Sequence, residues 1–183
     1  MNKISNAPRE FLPANIAVIT VSDTRTMETD KSGQTLADRV TGAGHTLASR
    51  HIVRDEIEDI RITVRALAAR DDVDVIITTG GTGLTGRDVT VEALRPLFDK
   101  EIEGFGVVFH VISFQKIHTS TIQSRATAGV LNGTYVFCLP GSPGACKDAW
   151  DEILVHQLDY RHHPCNFIEI MPRLDEHLRR SKS

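Results

Sequence analysis

Residues 73–90 constrain this chain more than any other stretch. Val73-Asp74-Val75-Ile76-Ile77-Thr78-Thr79 is dominated by β-branched side chains and reads as a buried strand. Gly80, Gly81 and Gly83 then crowd three glycines into four positions, a density that neither a helix nor a strand interior favours. After Asp88-Val89-Thr90 the pattern turns helical. Strand, glycine loop and helix in that order make a candidate anion site, because glycine lets backbone N–H groups approach a ligand and a helix start adds partial positive charge. A single glycine here would ordinarily mean only a tight turn. Three between a buried strand and a helix favour a ligand loop.

The rest of the chain fits around that unit. Ile16-Ala17-Val18-Ile19-Thr20-Val21 is a short apolar strand. Ser32 is placed to cap a helix carrying Leu36, Ala37 and Val40, which Gly42 and Gly44 end. Residues 45–53 suit a second strand. Ile57, Ile60, Val64, Leu67 and Ala68 repeat at i, i+3, i+4 and predict an amphipathic helix over 56–69. Strand–helix alternation argues for α/β architecture with a mostly parallel sheet. Residues 105–114 are apolar and lean towards helix, with most of that surface expected in the core. Asn132-Gly133 between two apolar runs predicts one antiparallel hairpin. Pro140-Gly141-Ser142-Pro143-Gly144 is a second glycine-rich loop, with a helix expected over 145–158. The expected organisation is a flexible arm over 1–14, one α/β domain over 15–160 and a tail over 161–183.

Composition narrows the class. At 183 residues, with 40% hydrophobic and 25% charged side chains, the chain suits one globular domain. A formal charge of −3 gives no general attraction to nucleic acid or anionic membrane. No apolar run approaches the roughly 20 residues needed to span a bilayer. Cys138, Cys146 and Cys165 lie in no paired spacing and read as reduced thiols of a cytoplasmic protein. His162, His163 and Cys165 form no convincing metal spacing, since adjacent histidines do not readily share one ion.

Ligands of open α/β sheets bind beyond the carboxyl ends of the strands. If the strands are parallel, the turns Ser22-Asp23, Arg54-Asp55, the glycine loop with Asp88, and Pro140-Gly141-Ser142 meet at one edge. One crevice then holds two glycine loops and three carboxylates. Gly81, Gly83 and Gly86 also match G-x-G-x-x-G, the dinucleotide fingerprint, but on the third strand and without a clear ribose-binding acid. A nicotinamide-dependent oxidoreductase is therefore a weak reading. A P-loop fails, because Arg87 and Asp88 stand where Lys and Ser or Thr are required. Asp55 and Asp88 each precede a helix, where a lone aspartate ordinarily serves as a cap.

Thr79-Gly80-Gly81-Thr82-Gly83 followed by Arg87-Asp88-Val89-Thr90 resembles the MoaB/MogA family of molybdenum-cofactor biosynthesis proteins. So do Val21-Ser22-Asp23, Ser32-Gly33, Gly104-Phe105-Gly106, Thr121-Ile122-Gln123-Ser124-Arg125 and Leu139-Pro140-Gly141-Ser142, over residues 16 to 158. Ala145-Cys146-Lys147, Trp150 and the segment Pro164-Cys165-Asn166-Phe167 look more like the MoaB branch. The resemblance implies a three-layer α/β/α molybdopterin-binding fold. It also implies adenylylation of the terminal phosphate of molybdopterin with ATP and Mg2+, releasing pyrophosphate. The alternative is a protein that binds or delivers the pterin without catalysis. Asp55 and Asp88 match the family's catalytic positions and are assigned to magnesium. Gly80, Gly81, Thr82 and Gly83 would cradle phosphate, while Ser22, Asp23, Ser32, Gly33, Ser124, Pro140, Gly141 and Ser142 match substrate-binding stretches. Homotrimers or homohexamers, and other molybdenum-cofactor enzymes as partners, are further implications. Three departures stand out: Thr85-Gly86 in place of a proline-containing turn, Val91 where proline is common, and His110 where many relatives carry arginine.

Overall fold

The computed structural model describes residues 9–176. Six strands form one sheet: β1 (Asn15–Val21), β2 (Thr46–Val53), β3 (Val75–Thr79), β4 (Lys100–Glu101), β5 (Thr127–Leu131) and β6 (Thr134–Leu139). Their order is β2-β1-β3-β6-β5-β4. β1 pairs in parallel with β2 and β3, and β3 pairs in parallel with β6. β5 runs antiparallel to both β6 and β4. The expected hairpin is present, with Asn132 at φ 50° and Gly133 at φ 82° forming its turn. The two-residue edge strand β4 carries Lys100 and Glu101, too short and too polar to leave a period in the sequence.

Alternate residues of the central strands feed two cores. Ile16 and Val18, Val75 and Ile77, and Tyr135, Phe137 and Leu139 point into one. Ala17, Ile19 and Val21, Ile76, and Val136 and Cys138 point into the other. Both faces are covered, which is why these strands read as unbroken apolar runs rather than alternating ones. Helices α1 (Lys31–Gly42), α4 (Glu103–Ile117) and α5 (Pro143–Ala149) cover the first face through Leu36, Val40, Phe105, Phe109 and Cys146. Helices α2 (Ile57–Ala68) and α3 (Thr90–Leu94) cover the second through Ile60, Val64, Leu67, Ala93 and Leu94. The result is the three-layer α/β/α fold.

Several local expectations need correction. The cap of α1 is Asp30 rather than Ser32: its carboxylate accepts the Gly33 N–H at 2.9 Å. The last long helix begins at Pro143, capped by Ser142, and widens into a π segment at Trp150–Leu154 before the short α6 (Val155–Gln157). Helix α4 is less buried than its composition suggests. Phe105, Phe109 and Ser113 face inward, whereas Val107, Val108, Val111, Phe114 and Ile117 are exposed. Of the expected arm and tail, residues 1–8 and 177–183 lie outside the described residues, while residues 9–14 and 161–176 make contacts with the domain. Ala14, Asn166 and Ile168 are buried. Arg9 makes a two-pronged contact with Glu169 and lies over the Tyr160 ring, and helix α7 (Phe167–Ile170) receives the Tyr135 hydroxyl on its Phe167 carbonyl. Among the described residues no helix is long and apolar enough to cross a membrane.

Candidate functional site

The chain moves from β1 outward to β2 and then returns past β1 to β3, so the sheet has its switch point between β1 and β3. Crevices at such points, beyond the carboxyl ends, are where open α/β sheets bind ligands. Here the segments leaving β1 and β3 nearly touch. A Cβ on Gly80 would lie 2.3 Å from the Val21 carbonyl oxygen, and Gly80 has φ +104°. No other residue type fits that approach without displacing the backbone.

The carboxylates are built onto this edge by their own backbones. The Asp23 N–H donates to Asp55 Oδ2 at 2.9 Å, and the Asp55 N–H donates to Asp23 Oδ1 at 3.2 Å. Asp23 Oδ2 also accepts from Arg87 at 2.7 and 3.1 Å, and Arg87 reaches Glu56 at 2.9 Å. Ser22 closes the turn after β1, its hydroxyl oxygen accepting the Thr24 and Arg25 N–H groups. Asp88 folds back on its own loop, where its Oδ2 accepts both the Thr85 N–H, at 2.9 Å, and the Thr85 hydroxyl, at 2.6 Å. Neither Asp55 nor Asp88 caps the helix after it: α2 starts behind Glu56 and α3 behind Val89, both without a side-chain cap.

The glycine loop threads between these two carboxylates. Asp55 Oδ1 lies 3.3 Å from where a Gly81 Cβ would be, and Asp88 Oδ2 lies 2.8 Å from where a Gly83 Cβ would be. The loop is further held by Thr90, whose hydroxyl donates to the Gly80 carbonyl at 2.8 Å and whose N–H donates to the Gly81 carbonyl. Gly80 is not a free donor in the cradle, because its N–H continues the sheet ladder to the Leu139 carbonyl at 3.0 Å. The helix after the loop is only five residues long, so the loop backbone rather than a helix dipole is the available donor. That short helix also starts four residues beyond Gly86, unlike the direct run from glycines into a long helix that a dinucleotide fingerprint requires.

Charge separates the three aspartates. Asp55 is pushed above the ordinary carboxylate range, chiefly by burial and then by the nearby charges of Asp23 and Asp88. Asp23 is held low by its hydrogen bond from Arg87. For Asp88 burial opposes ionisation, yet the hydroxyl and N–H of Thr85 and the N–H of Gly83 outweigh it and hold the group low. Arg54, Asp55, Glu56, Glu58, Asp59 and Arg87 line an open hollow of about 600 Å³ beside this cluster. Among the described residues no group of three or more His, Cys, Asp or Glu side chains is placed to hold a metal ion by itself.

The remaining expected site residues divide. The Pro140 carbonyl accepts the Thr79 hydroxyl at 3.0 Å, and Gly141 packs against Gly80, so the second glycine loop does border the first. Ser142 uses its oxygen to cap α5, accepting the Ala145 N–H at 3.1 Å. Ser32 and Gly33 turn to the buried Asp30, which also accepts from Thr20 at 2.7 Å and pairs with Arg50 at 2.9 Å. Ser124 spends its hydroxyl on the Thr121 carbonyl.

Two arginines emerge that the sequence marks as no more than charged positions. Arg87 ties Asp23 to Glu56. Arg125 clamps the glycine loop: its N–H donates to the Thr82 carbonyl, Nε to the Gly83 carbonyl at 2.9 Å, and Nη2 to the Asp88 carbonyl at 3.0 Å, while it pairs with Glu92. The only advance signal for Arg125 is its place in the Thr121-Ile122-Gln123-Ser124-Arg125 motif.

Comparison with known proteins bears on the family and the fold. Residues 17–160 match the family described as "Probable molybdopterin binding domain". Molybdenum cofactor biosynthesis protein B of Escherichia coli strain K12 is 51% identical over 164 residues, covering 90% of this chain and 96% of that protein. The Bacillus anthracis protein of the same name is 46% identical over 155 residues, covering 84% and 90%. A crystal structure of a molybdenum cofactor biosynthesis protein B superposes with a TM-score of 0.81 at 42% identity, over 93% of this chain and 99% of that one. The tungsten cofactor synthesizing protein MoaB from Pyrococcus furiosus gives 0.69 at 37% identity, over 78% and 91%. With residues 17–160 matched and the α/β/α fold shared, the chain belongs to the MoaB/MogA family of molybdenum cofactor biosynthesis proteins.

Proposed function

We propose that this protein binds molybdopterin and transfers the adenylyl group of ATP to its terminal phosphate. An oxygen of that phosphate attacks the α-phosphorus of ATP, the bond to the bridging α–β oxygen breaks, and pyrophosphate leaves. The observation that carries this reading is the glycine loop held between Asp55 and Asp88. A cradle for phosphate flanked by two carboxylates repels its own ligand unless a cation stands between them. Magnesium suits the vacancy in charge, since it takes hard oxygens and is commonly held by one or two carboxylates plus substrate phosphates. Asp55 and Asp88 would hold it, each with one oxygen already fixed by a protein donor. Bound there, it supplies neutralisation of the phosphate charge.

The protein's own groups then position. The N–H groups of Gly81 and Thr82 would face phosphate oxygens, the Gly83 N–H being given to Asp88, and Arg87 and Arg125 keep the loop and Asp23 in register. Ser22, Asp23 and the Pro140-Gly141-Ser142 loop border the substrates. Ser32 and Gly33 contribute through Asp30, and Ser124 through Arg125. Transfer of this kind depends on positioning and charge compensation more than on covalent help from side chains. Calorimetry with ATP tests the metal assignment. Binding is expected with magnesium and lost with chelator; equal affinity in both would rule the carboxylate-held ion out.

The exposed apolar face of α4 supports self-association into trimers or hexamers. Val107, Val111 and Phe114, at 64%, 57% and 51% exposure, line a groove of about 650 Å³ with Ile122. Contiguous apolar surface of this kind ordinarily marks an interface. Assembly with other molybdenum-cofactor enzymes belongs to the same reading.

A further inference from the structure

The clamp on the glycine loop has its own support, and it ends on a histidine. His110 is half-buried on α4. Its Nδ1 lies 2.6 Å from the Gly106 carbonyl oxygen, and its Nε2 lies 3.0 Å from the Ser124 carbonyl oxygen. Both oxygens are acceptors with no proton to give. A neutral imidazole has one N–H, so one of these contacts would set lone pair against lone pair; the imidazolium donates at both. The contact to Ser124 joins α4 to the segment before β5, one residue ahead of Arg125. Arg125 in turn holds the carbonyls of Thr82, Gly83 and Asp88.

We infer that His110 is a positioning residue: in its doubly protonated form it latches Ser124 to α4, keeps Arg125 seated on the glycine loop, and so makes ligand affinity at that loop depend on pH. The inference rests on the loop being the nucleotide and pterin floor proposed above. The charged groups around the ring are few. Glu92 and Arg95, from the α3 side, line a hollow of about 430 Å³ with His110, Ser124 and Arg125. Glu92 is paired with Arg125, and Arg95 with Glu101 at 2.7 Å. On α4 the neighbours are Gly106 and the edge-on ring of Phe109, and across the apolar groove they are uncharged. Loss of the second proton removes one donor, so the latch loosens as pH rises. Imidazole is the side chain whose ordinary protonation change falls in the range of about pH 5 to 8. A guanidinium at this position would remain a donor throughout that range.

The test uses the full chain and two readouts. Nitrogen-15 spectra of the His110 ring, recorded across the ordinary imidazole range of about pH 5 to 8, should show both nitrogens protonated before one proton is lost, with the Gly83 and Arg125 backbone amides shifting along with that loss. Mg-ATP affinity should weaken about fivefold across that interval, the equivalent of one hydrogen bond, and the weakening should be flattened in His110→Arg. A ring that is singly protonated throughout, or loop amides that ignore its titration, would overturn the inference. So would an ATP profile identical in wild type and His110→Arg. Should ATP fail to bind at any pH while the amides follow the ring, the latch stands and the nucleotide reading of the loop falls.

Discussion

At the residue scale the site is held together against its own charge. Asp55 sits above the ordinary carboxylate range because it is partly buried beside Asp23 and Asp88. A carboxyl raised in the folded state binds protons more tightly there than in the unfolded chain, so ionising it at neutral pH costs stability. Asp55→Asn keeps an oxygen for the Asp23 N–H and removes the charge. It should raise the melting temperature at neutral pH, with the gain shrinking as pH falls through the carboxylate range, and should abolish magnesium-dependent ATP binding. Thermal melts beside calorimetry check both halves; a lower melting temperature would contradict the electrostatic reading. His45 works in the opposite sense. Its ring is buried between Phe11 and Trp150, accepts the Ala14 N–H on Nδ1 at 3.1 Å, and is held below the ordinary range mainly by burial. The unfolded state therefore takes up the extra proton first, from about pH 6.5 downward. Stability is full above that pH and is lost below it. Urea titrations from about pH 7.5 to pH 5 should show a steeper loss in wild type than in His45→Gln; parallel losses would clear His45 of the effect. Asp23 and Asp55 were legible as polar breaks after strands, and Asp88 by its motif beside the glycine loop. Arg125 and Asp30 were not, because what defines them is contact with segments far along the chain, Gly83 and Arg50 respectively.

At the scale of elements, strand, loop and helix are fixed by different forces. The central strands β1, β3 and β6 were legible from their apolar runs because two cores bury both faces. The loop was legible by its glycines, and Gly80 shows why they are needed: positive φ and a neighbouring carbonyl at 2.3 Å from the missing Cβ. Gly80→Ala should cost at least about 2 kcal/mol in chemical denaturation, the combined effect of left-handed backbone strain and displacement of Val21; a change below about 0.5 kcal/mol would mean the loop is not anchored there. Strand β4 and the π segment left no readable period, whereas the α1 cap is a local contact between Asp30 and Gly33. Helix α4 misled for another reason. It is apolar nearly all round, and periodicity cannot tell a core-facing side from one awaiting a partner. Phe114→Glu, at an exposed position, should leave the fold intact and shift the protein to smaller species in light scattering. Retention of the wild-type mass would contradict α4 as a self-association surface.

At the scale of the molecule, topology turns separate turns into one site. The order β2-β1-β3-β6 brings the segments after β1, β2, β3 and β6 to one edge, although they lie up to about 120 residues apart in the chain. The architecture was legible because strand–helix alternation and right-handed crossovers leave few arrangements. The packing of residues 9–14 against 161–176 was not, because Arg9 with Glu169 and Tyr160 is a contact between two segments that each lack a period. Convergence makes Asp55 and Asp88 flank one glycine loop, and that arrangement is what nucleotidyl transfer would use. Its most direct test is incubation of the purified full-length chain with molybdopterin, ATP and magnesium, quantifying adenylylated pterin and pyrophosphate together. Equal amounts of the two products from wild type, and loss of at least about a hundredfold in rate for Asp88→Asn, are expected. Pterin bound without either product, in a sample that is folded and loaded with magnesium, would contradict transfer at this loop.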